Sequence, residues 1–310
     1  MITEPRVLLF FIDGLGIGKR IEANPLHQLQ TATPLAVFQD EEPELFLDGI
    51  VVSTDPRLGV EGRPQSASGQ TTILTGVNAA EAIGYHKQGF PNKALLEIIE
   101  KKSIFKQLRN SGVEPITFAN AYTSRFFDER PRWISATTAA VEAAELPFRT
   151  VADMRNGWAV FADFTNRLLI ERGEDVEERS EPDAGEVLAR IAETNRFTLY
   201  EYFITDKLGH LQDMEAAKVV LARLALFIRE LLSRLDLNTT TIILTSDHGN
   251  IEDLSSRNHT LHNVPTIIWG NRRHSVAERI RSLTDITPAI LDVLTTSASE
   301  INAHINRRNG

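Results

Sequence analysis

Three segments of this 310-residue chain that read as strands each lead into an aspartate, and that ending constrains the fold more than any other feature. Val7–Ile12 reads VLLFFI and runs into Asp13-Gly14; Phe197–Thr205 precedes Asp206, and Thr240–Thr245 precedes Asp247 by one residue. A continuous apolar run such as VLLFFI marks a parallel strand buried on both faces. Ile50–Ser53, Ile116–Ala119 and Pro265–Trp269 read as further strands. Helical patterns lie between them: one beginning at Gly69–Thr75, then Lys93–Glu100, Ser103–Asn110 with Ser103 as cap and Gly112 as stop, and Ala136–Leu146. Later come a helix opened by Pro182-Asp183 and running to Thr194, Glu215–Leu235, and Thr284–Leu294 with Pro288 in its first turn. Strands alternating with helices predict an α/β fold with an open, mostly parallel sheet covered on both faces. In such sheets ligands collect at the carboxyl edge of the strands. Asp13, Asp206 and Asp247 all fall there, and this is the first sign of a functional site.

Composition narrows the function classes. A hydrophobic fraction of 42% and a charged fraction of 24% are those of a folded globular chain. The net charge of −9 and pI near 5.5 argue against nucleic acid or an anionic membrane as the main partner. An acidic chain can still bind an anion such as phosphate, but only at a local positive centre such as metal ions or clustered arginines. With no cysteine, disulfides and thiolate metal sites are excluded, so any metal sits on His, Asp, Glu or hydroxyl ligands. The apolar run at Val7–Ile12 is too short to span a membrane and has no cleavage site after it, so a cytoplasmic location is the expectation. No repeat, low-complexity tract or long linker interrupts the chain, which predicts a single domain over 1–310. The less regular stretch from Tyr122 to about Ser180, which contains SRFFDERPRW, has room for a small lid.

Each candidate residue has a plain structural reading beside the functional one. Asp13, followed by Gly14, Gly16 and Gly18, fits a metal ligand or a solvated turn residue; the glycines do not fit G-x-G-x-x-G, because position 19 is Lys. Asp206 and His210 are four apart, a spacing that turns both toward one ion or simply starts a helix. Asp247-His248 follows an apolar strand, and both side chains reach one ion only if the chain leaves strand geometry there, a turn that Gly249 permits. Of His259 and His262, one fits a ligand and the other a supporting or surface histidine. Ser66, at the mouth of a helix, reads as an N-cap or as a nucleophile whose phosphate partner would face free amides, with Ser68 competing for the cap.

Taken in order, these segments resemble the metalloenzyme branch of the alkaline phosphatase superfamily, to which cofactor-independent phosphoglycerate mutase and phosphopentomutase belong. That branch has an Asp after its first strand, a Ser or Thr nucleophile ten residues before a Gly, a D-x-x-x-H pair, a D-H-G-N segment and a final His before a V-P strand. Here these are Asp13, Ser66 with Gly76, Asp206 with His210, Asp247-His248-Gly249-Asn250, and His259 six before Pro265. The C-terminal TDITPAILDVL also resembles that family's closing helix. The resemblance implies an alkaline-phosphatase-like three-layer sandwich and two divalent ions, Zn²⁺ or Mn²⁺. One would be held by Asp206, His210 and His259, the other by Asp13, Asp247, His248 and the Ser66 oxygen. Two such ions balance three carboxylates and a Ser66 alkoxide.

The implied function is metal-dependent phosphoryl transfer through phospho-Ser66: a phosphatase or phosphodiesterase acting on a small phosphorylated metabolite. A phosphomutase is the alternative, and a non-catalytic metal-binding sensor or scaffold a more distant one. There are departures. Gln70 stands where the phosphoglycerate mutase pattern has a His, and the large inserted domain of that mutase has no room between Gly76 and Asp206. The C/S-x-P-x-R segment of a sulfatase is missing around Ser66. Arg125, Arg130 and Arg132 in the lid are the candidate substrate-anion ligands, with Lys87 a similar one.

Overall fold

Alternate residues of a strand face opposite sides, and here both sides are apolar, so the sheet must be covered twice. In the computed structural model, which describes residues 4–29, 33–43 and 46–296, it is. The strands are β1 (Arg6–Ile12), β2 (Ile50–Thr54), β3 (Ile116–Phe118), β4 (Ala121–Tyr122), β5 (Arg149–Thr150), β6 (Phe197–Tyr202), β7 (Thr240–Ser246) and β8 (Val264–Trp269). Six of them form one sheet in the order β2-β8-β7-β1-β6-β3. The strands β7, β1, β6 and β3 are mutually parallel, with β3 at one edge, while β8 and β2 are added by antiparallel pairing at the other. β4 and β5 pair separately.

On one face Leu8, Phe10, Tyr200, Ile242 and Leu244 pack against Leu188, Leu221, Leu224 and Phe227 of the helices Glu181–Thr194 and Met214–Arg234. On the other, Val7, Leu9, Phe11, Leu199 and Ile243 meet Ile73, Phe105, Ala140 and Ile290 from the helices Ser66–Thr75, Ile104–Asn110, Ala136–Ala143 and Ile286–Thr295. The fold is therefore a three-layer α/β sandwich with a mostly parallel central sheet. No helix among the described residues is long and apolar enough to cross a membrane.

Several boundaries differ from the sequence expectation. β6 stops at Tyr202 rather than Thr205, because the chain turns at Phe203 into the helix Ile204–Leu211. Asp206 thus sits in the first turn of a helix, still at the carboxyl edge. The helix begun at Gly69 in the sequence reading starts at Ser66, with Gln65 at its N-cap. Ser103 occupies its expected N-cap position without capping: its hydroxyl donates to Ala140 O at 2.7 Å, tying two helices together. Within 122–180, Ala136, Ala139, Ala140 and Val141 belong to the main core. Val160 and Phe164 of the same stretch join the core on the opposite face of the sheet, so much of 122–180 is built into the body of the fold.

Candidate metal and phosphoryl site

The chain brings Asp13, Ser66, Asp206, His210, Asp247, His248 and His259 together at the carboxyl edge. β7 ends at Ser246, so Asp247 and His248 lie past strand geometry, as a shared site for both requires. Ser246 makes that exit: its hydroxyl accepts from Leu15 N at 2.9 Å and donates to His248 O at 3.0 Å. Asp13 is anchored by its own N–H to Tyr202 O and by Thr205 Oγ1, which donates to Asp13 O at 2.5 Å. The Ser66–Thr75 helix comes close because Gly69 has no side chain; a Cβ there would lie 2.9 Å from the Asp247 Cβ.

Ser66 is the first residue of this helix, not its cap, and its Oγ lies 3.0 Å from His248 Nε2. The capping reading of Ser66 is thereby removed. The Ser68 hydroxyl is spent on Gln65 O and on the Lys87 amide.

The ligand atoms fall into two groups that share His248. Asp206, His248 and His259 form one, and Asp13, Asp247 and His248 the other, each with its atoms within 4.8 Å of one another. His248 Nε2 is 3.3 Å from Asp13 Oδ1 and 3.5 Å from Asp247 Oδ2. Its ring stacks on His259 with centroids 3.6 Å apart. His210 joins the first group: its Nε2 is 3.3 Å from Asp206 Oδ2 and 3.2 Å from His259 Nε2.

The donor set asks for cations. His259 Nδ1 is 2.9 Å from Pro64 O and His210 Nδ1 is 2.7 Å from Arg257 O. A carbonyl only accepts, so both Nδ1 atoms carry the hydrogen and both Nε2 atoms present lone pairs. In the neutral rings those lone pairs face each other beside the Asp206 carboxylate; burial opposes charge on His259, but the Asp206 contact raises its imidazole, so a proton there or a metal ion relieves the crowding. Asp13 Oδ1 is likewise buried without a hydrogen-bond partner.

The electrostatics agree. Burial, with Asp247 adding, pushes the Asp13 carboxyl well above the usual carboxylate range. Burial and then Asp206 raise Asp247 to about 7. Burial opposes ionisation of Asp206 too, but the His259 contact and the field of His248 outweigh it and hold that carboxyl low. Burial and then His259 hold the His248 imidazole down to about 3. Carboxylates this crowded and dry stay ionised together only around added positive charge.

Several residues brace the site in ways that the sequence reading did not assign to them. Gln70 Nε2 donates to Asp13 Oδ2 at 3.1 Å and Asp247 Oδ2 at 3.2 Å, bridging the two carboxylates. Asn250 Nδ2 donates to Asp206 Oδ1 at 2.7 Å and so fixes the other carboxylate. Buried Glu252 accepts from Gly16 N at 2.9 Å, Asn250 N at 2.7 Å and Thr260 Oγ1 at 2.5 Å, and pairs with His262 Nδ1 at 3.0 Å. It ties together the loops that bear Asp13, His248 and His259. His262 therefore belongs to this brace and His259 to the ligand group. Gly249 matters for space rather than for the turn expected of it: a Cβ there would overlap Glu252 Oε1 and Thr260 Oγ1. Glu201, near the end of β6, is a further buried carboxyl; burial raises it to about 7, with the Thr137 contact opposing and Asp247 adding.

The lid arginines are engaged elsewhere. Arg125 pairs with Glu129 at 2.8 Å, Arg130 with Glu142 at 2.5 Å, and Arg132 lies over the Trp133 ring at 5.0 Å. The Lys87 ammonium donates to Gln88 O.

Comparison with known proteins bears on the same residues. A family model described as Metalloenzyme superfamily matches residues 148–298, a span that holds Asp206, His210, Asp247, His248 and His259. The chain is similar to the 2,3-bisphosphoglycerate-independent phosphoglycerate mutase of Antithamnion sp., 30% identical over 107 residues. It is similar also to that of Moorella thermoacetica, 28% identical over 104. Each match covers 32% of this chain but only about a fifth of the mutase, 21% and 20% respectively. Among solved structures, the PH0037 protein of Pyrococcus horikoshii aligns with a TM-score of 0.57 at 16% identity, over 96% of this chain and 98% of that one. The alkaline phosphatase of the Antarctic bacterium TAB5 aligns with a TM-score of 0.53 at 13% identity, over 96% and 100%. The matched family model and the distant phosphoglycerate mutase relatives, together with a sandwich shared with alkaline phosphatase, support the alkaline-phosphatase-like metalloenzyme superfamily for this chain.

Proposed function

We propose that the protein is a two-metal phosphoryl-transfer enzyme that acts on small phosphorylated metabolites in the cytoplasm, with Ser66 as nucleophile and hydrolysis as its main outcome. The observation that carries this reading is the Ser66 hydroxyl, at the start of a helix and 3.0 Å from His248 Nε2, beside a set of acceptors that asks for cations. Asp206, His210 and His259 would hold one ion, and Asp13, Asp247 and Ser66 the other, with His248 between the two groups. When bound, Zn²⁺ or Mn²⁺ supplies the charge that makes Ser66 acidic and offsets that of the phosphoryl group.

The remaining tasks fall to the chain. His248 is a poor proton acceptor at neutral pH, since burial keeps its imidazole near a pKa of about 3. Its part is to fix the Ser66 oxygen. In the first helical turn the Ser68 amide is taken by Lys87 O and the Gly69 amide by Gln65 O. Among the described residues the Ser66 and Ala67 amides have no acceptor, and as first-turn N–H groups they would be available to a phosphoryl oxygen, aided by the helix dipole. Ser66 Oγ bonds to phosphorus as the ester oxygen leaves with the electron pair of the broken P–O bond and takes up a proton. Water then displaces the serine oxygen and releases inorganic phosphate.

Hydrolysis is favoured over mutase action because a mutase must keep water from the phosphoserine while its substrate reorients. The stretch 122–180 gives part of itself to the core and offers only a small cover. The names of the curated relatives keep the mutase as the alternative. The test is incubation with p-nitrophenyl phosphate, 3-phosphoglycerate and ribose phosphates, with Mn²⁺ and Zn²⁺ added separately. Free phosphate should be the main product. Quantitative isomerisation without phosphate release would select the mutase, and no turnover on any ester would reject both.

A further inference from the structure

The site described so far is rich in acceptors and poor in donors. The Gln70 amide is spent on Asp13 and Asp247, and the Arg125 and Arg130 guanidinium groups are paired with carboxylates of their own segment. Arg63 differs on each count. It stands three residues before Ser66 in the chain, and its Nη1 donates to the main-chain oxygen of His259 at 2.7 Å, which anchors the guanidinium against a candidate ligand residue. It is exposed, and among the described residues it has no carboxylate partner. A guanidinium has five N–H donors in a planar fork, so one bond to a carbonyl leaves most of them unspent. Unpaired positive charge with free donors at the rim of a phosphate site is what an incoming anion needs and the rest of the site lacks.

We propose that Arg63 is the substrate-anion contact of this site, its guanidinium taking an anionic oxygen of the ester held over Ser66. The assignment rests on the phosphoryl-transfer reading and replaces the lid arginines in that role. The anionic oxygen belongs either to the phosphoryl group or to a carboxylate on the leaving group, and the arms of the test separate them. Arg63 also has a structural task, since Arg63 and Pro64 hold His259 by its carbonyl and its ring nitrogen. Ion content is therefore measured in every variant.

The experiment titrates inorganic phosphate into Mn²⁺-loaded native protein, R63A and R63K by calorimetry. KM and kcat for p-nitrophenyl phosphate and 3-phosphoglycerate are measured alongside. R63A should bind phosphate at least about tenfold more weakly, a change of about 1.4 kcal/mol, with ion content unchanged. R63K should recover only part of the loss, because an ammonium lacks the planar fork. Native-like phosphate affinity in R63A with a raised KM for 3-phosphoglycerate alone would place the contact on the leaving-group carboxylate, and the assignment would stand. Unchanged affinity and unchanged KM for both esters would overturn it, as would loss of an ion from R63A, which would mark Arg63 as a tether for His259. Phosphate binding that depends on Arg63 in a native protein that turns over no ester would reject the proposed function and keep the anion contact. Turnover that ignores Arg63 would do the reverse.

Discussion

Replacing Ser66 with alanine should lower turnover of p-nitrophenyl phosphate by on the order of 10³-fold or more, the scale seen when a covalent nucleophile is removed. The fold should survive. Ser66 is the first helical residue rather than the cap, so the change forfeits no capping energy, and its hydroxyl has His248 Nε2 as partner rather than the backbone. Stability should stay within about 1 kcal/mol of native. Steady-state kinetics and a thermal melt check the two halves. Full activity in Ser66→Ala would remove the assignment and turn attention to Ser68, whose hydroxyl is at present committed to Gln65 and Lys87.

The second large effect is expected at a residue that touches neither Ser66 nor the ligand atoms. Glu252 is buried and receives the Gly16 and Asn250 amides, the Thr260 hydroxyl and His262. Glu252→Ala leaves those groups buried without an acceptor, at a cost of about 3–5 kcal/mol, as when a buried pair loses one partner. Because the same groups flank Asp13, His248 and His259, ion affinity should fall together with the melting temperature. A melt that matches the native protein, with unchanged metal binding, would show that the brace is dispensable.

How much of this was legible in the sequence follows from what each residue's signal depends on. VLLFFI announces a buried strand because both faces must be apolar, and the Asp that follows is fixed at the carboxyl edge by chain direction alone. The candidate ligand residues were readable because the family resemblance supplied residue type and spacing together, and the structure brings those side chains into two groups that share His248. The end of β6 was not, since FIT fits a strand or a helix start and the choice falls to tertiary packing at Phe203. The bracing roles of Gln70, Asn250 and Glu252 were not legible for a related reason. An amide or carboxylate that braces another side chain has no period and no fixed spacing, and its partners lie up to 236 positions away, as between Gly16 and Glu252. Gly249 was read as a turn residue, yet its real constraint is space claimed by Glu252 and Thr260. The lid arginines show the opposite limit: a basic, aromatic string carries no sign that Arg125 and Arg130 have Glu129 and Glu142 as partners in the fold.

The account stands or falls on two separable cation sites built from these residues. Metal content per chain, measured by plasma mass spectrometry after loading with Mn²⁺ or Zn²⁺ and removal of free ion, tests this most directly. The native protein should hold two ions. Asp206→Asn should keep the one beside Asp13 and Asp247, and Asp13→Asn should keep the one beside His210 and His259. Ser66→Ala should stay close to two, since it removes a single ligand atom. A native protein that holds at most one ion per chain, or single variants that lose both sites together, would contradict the account.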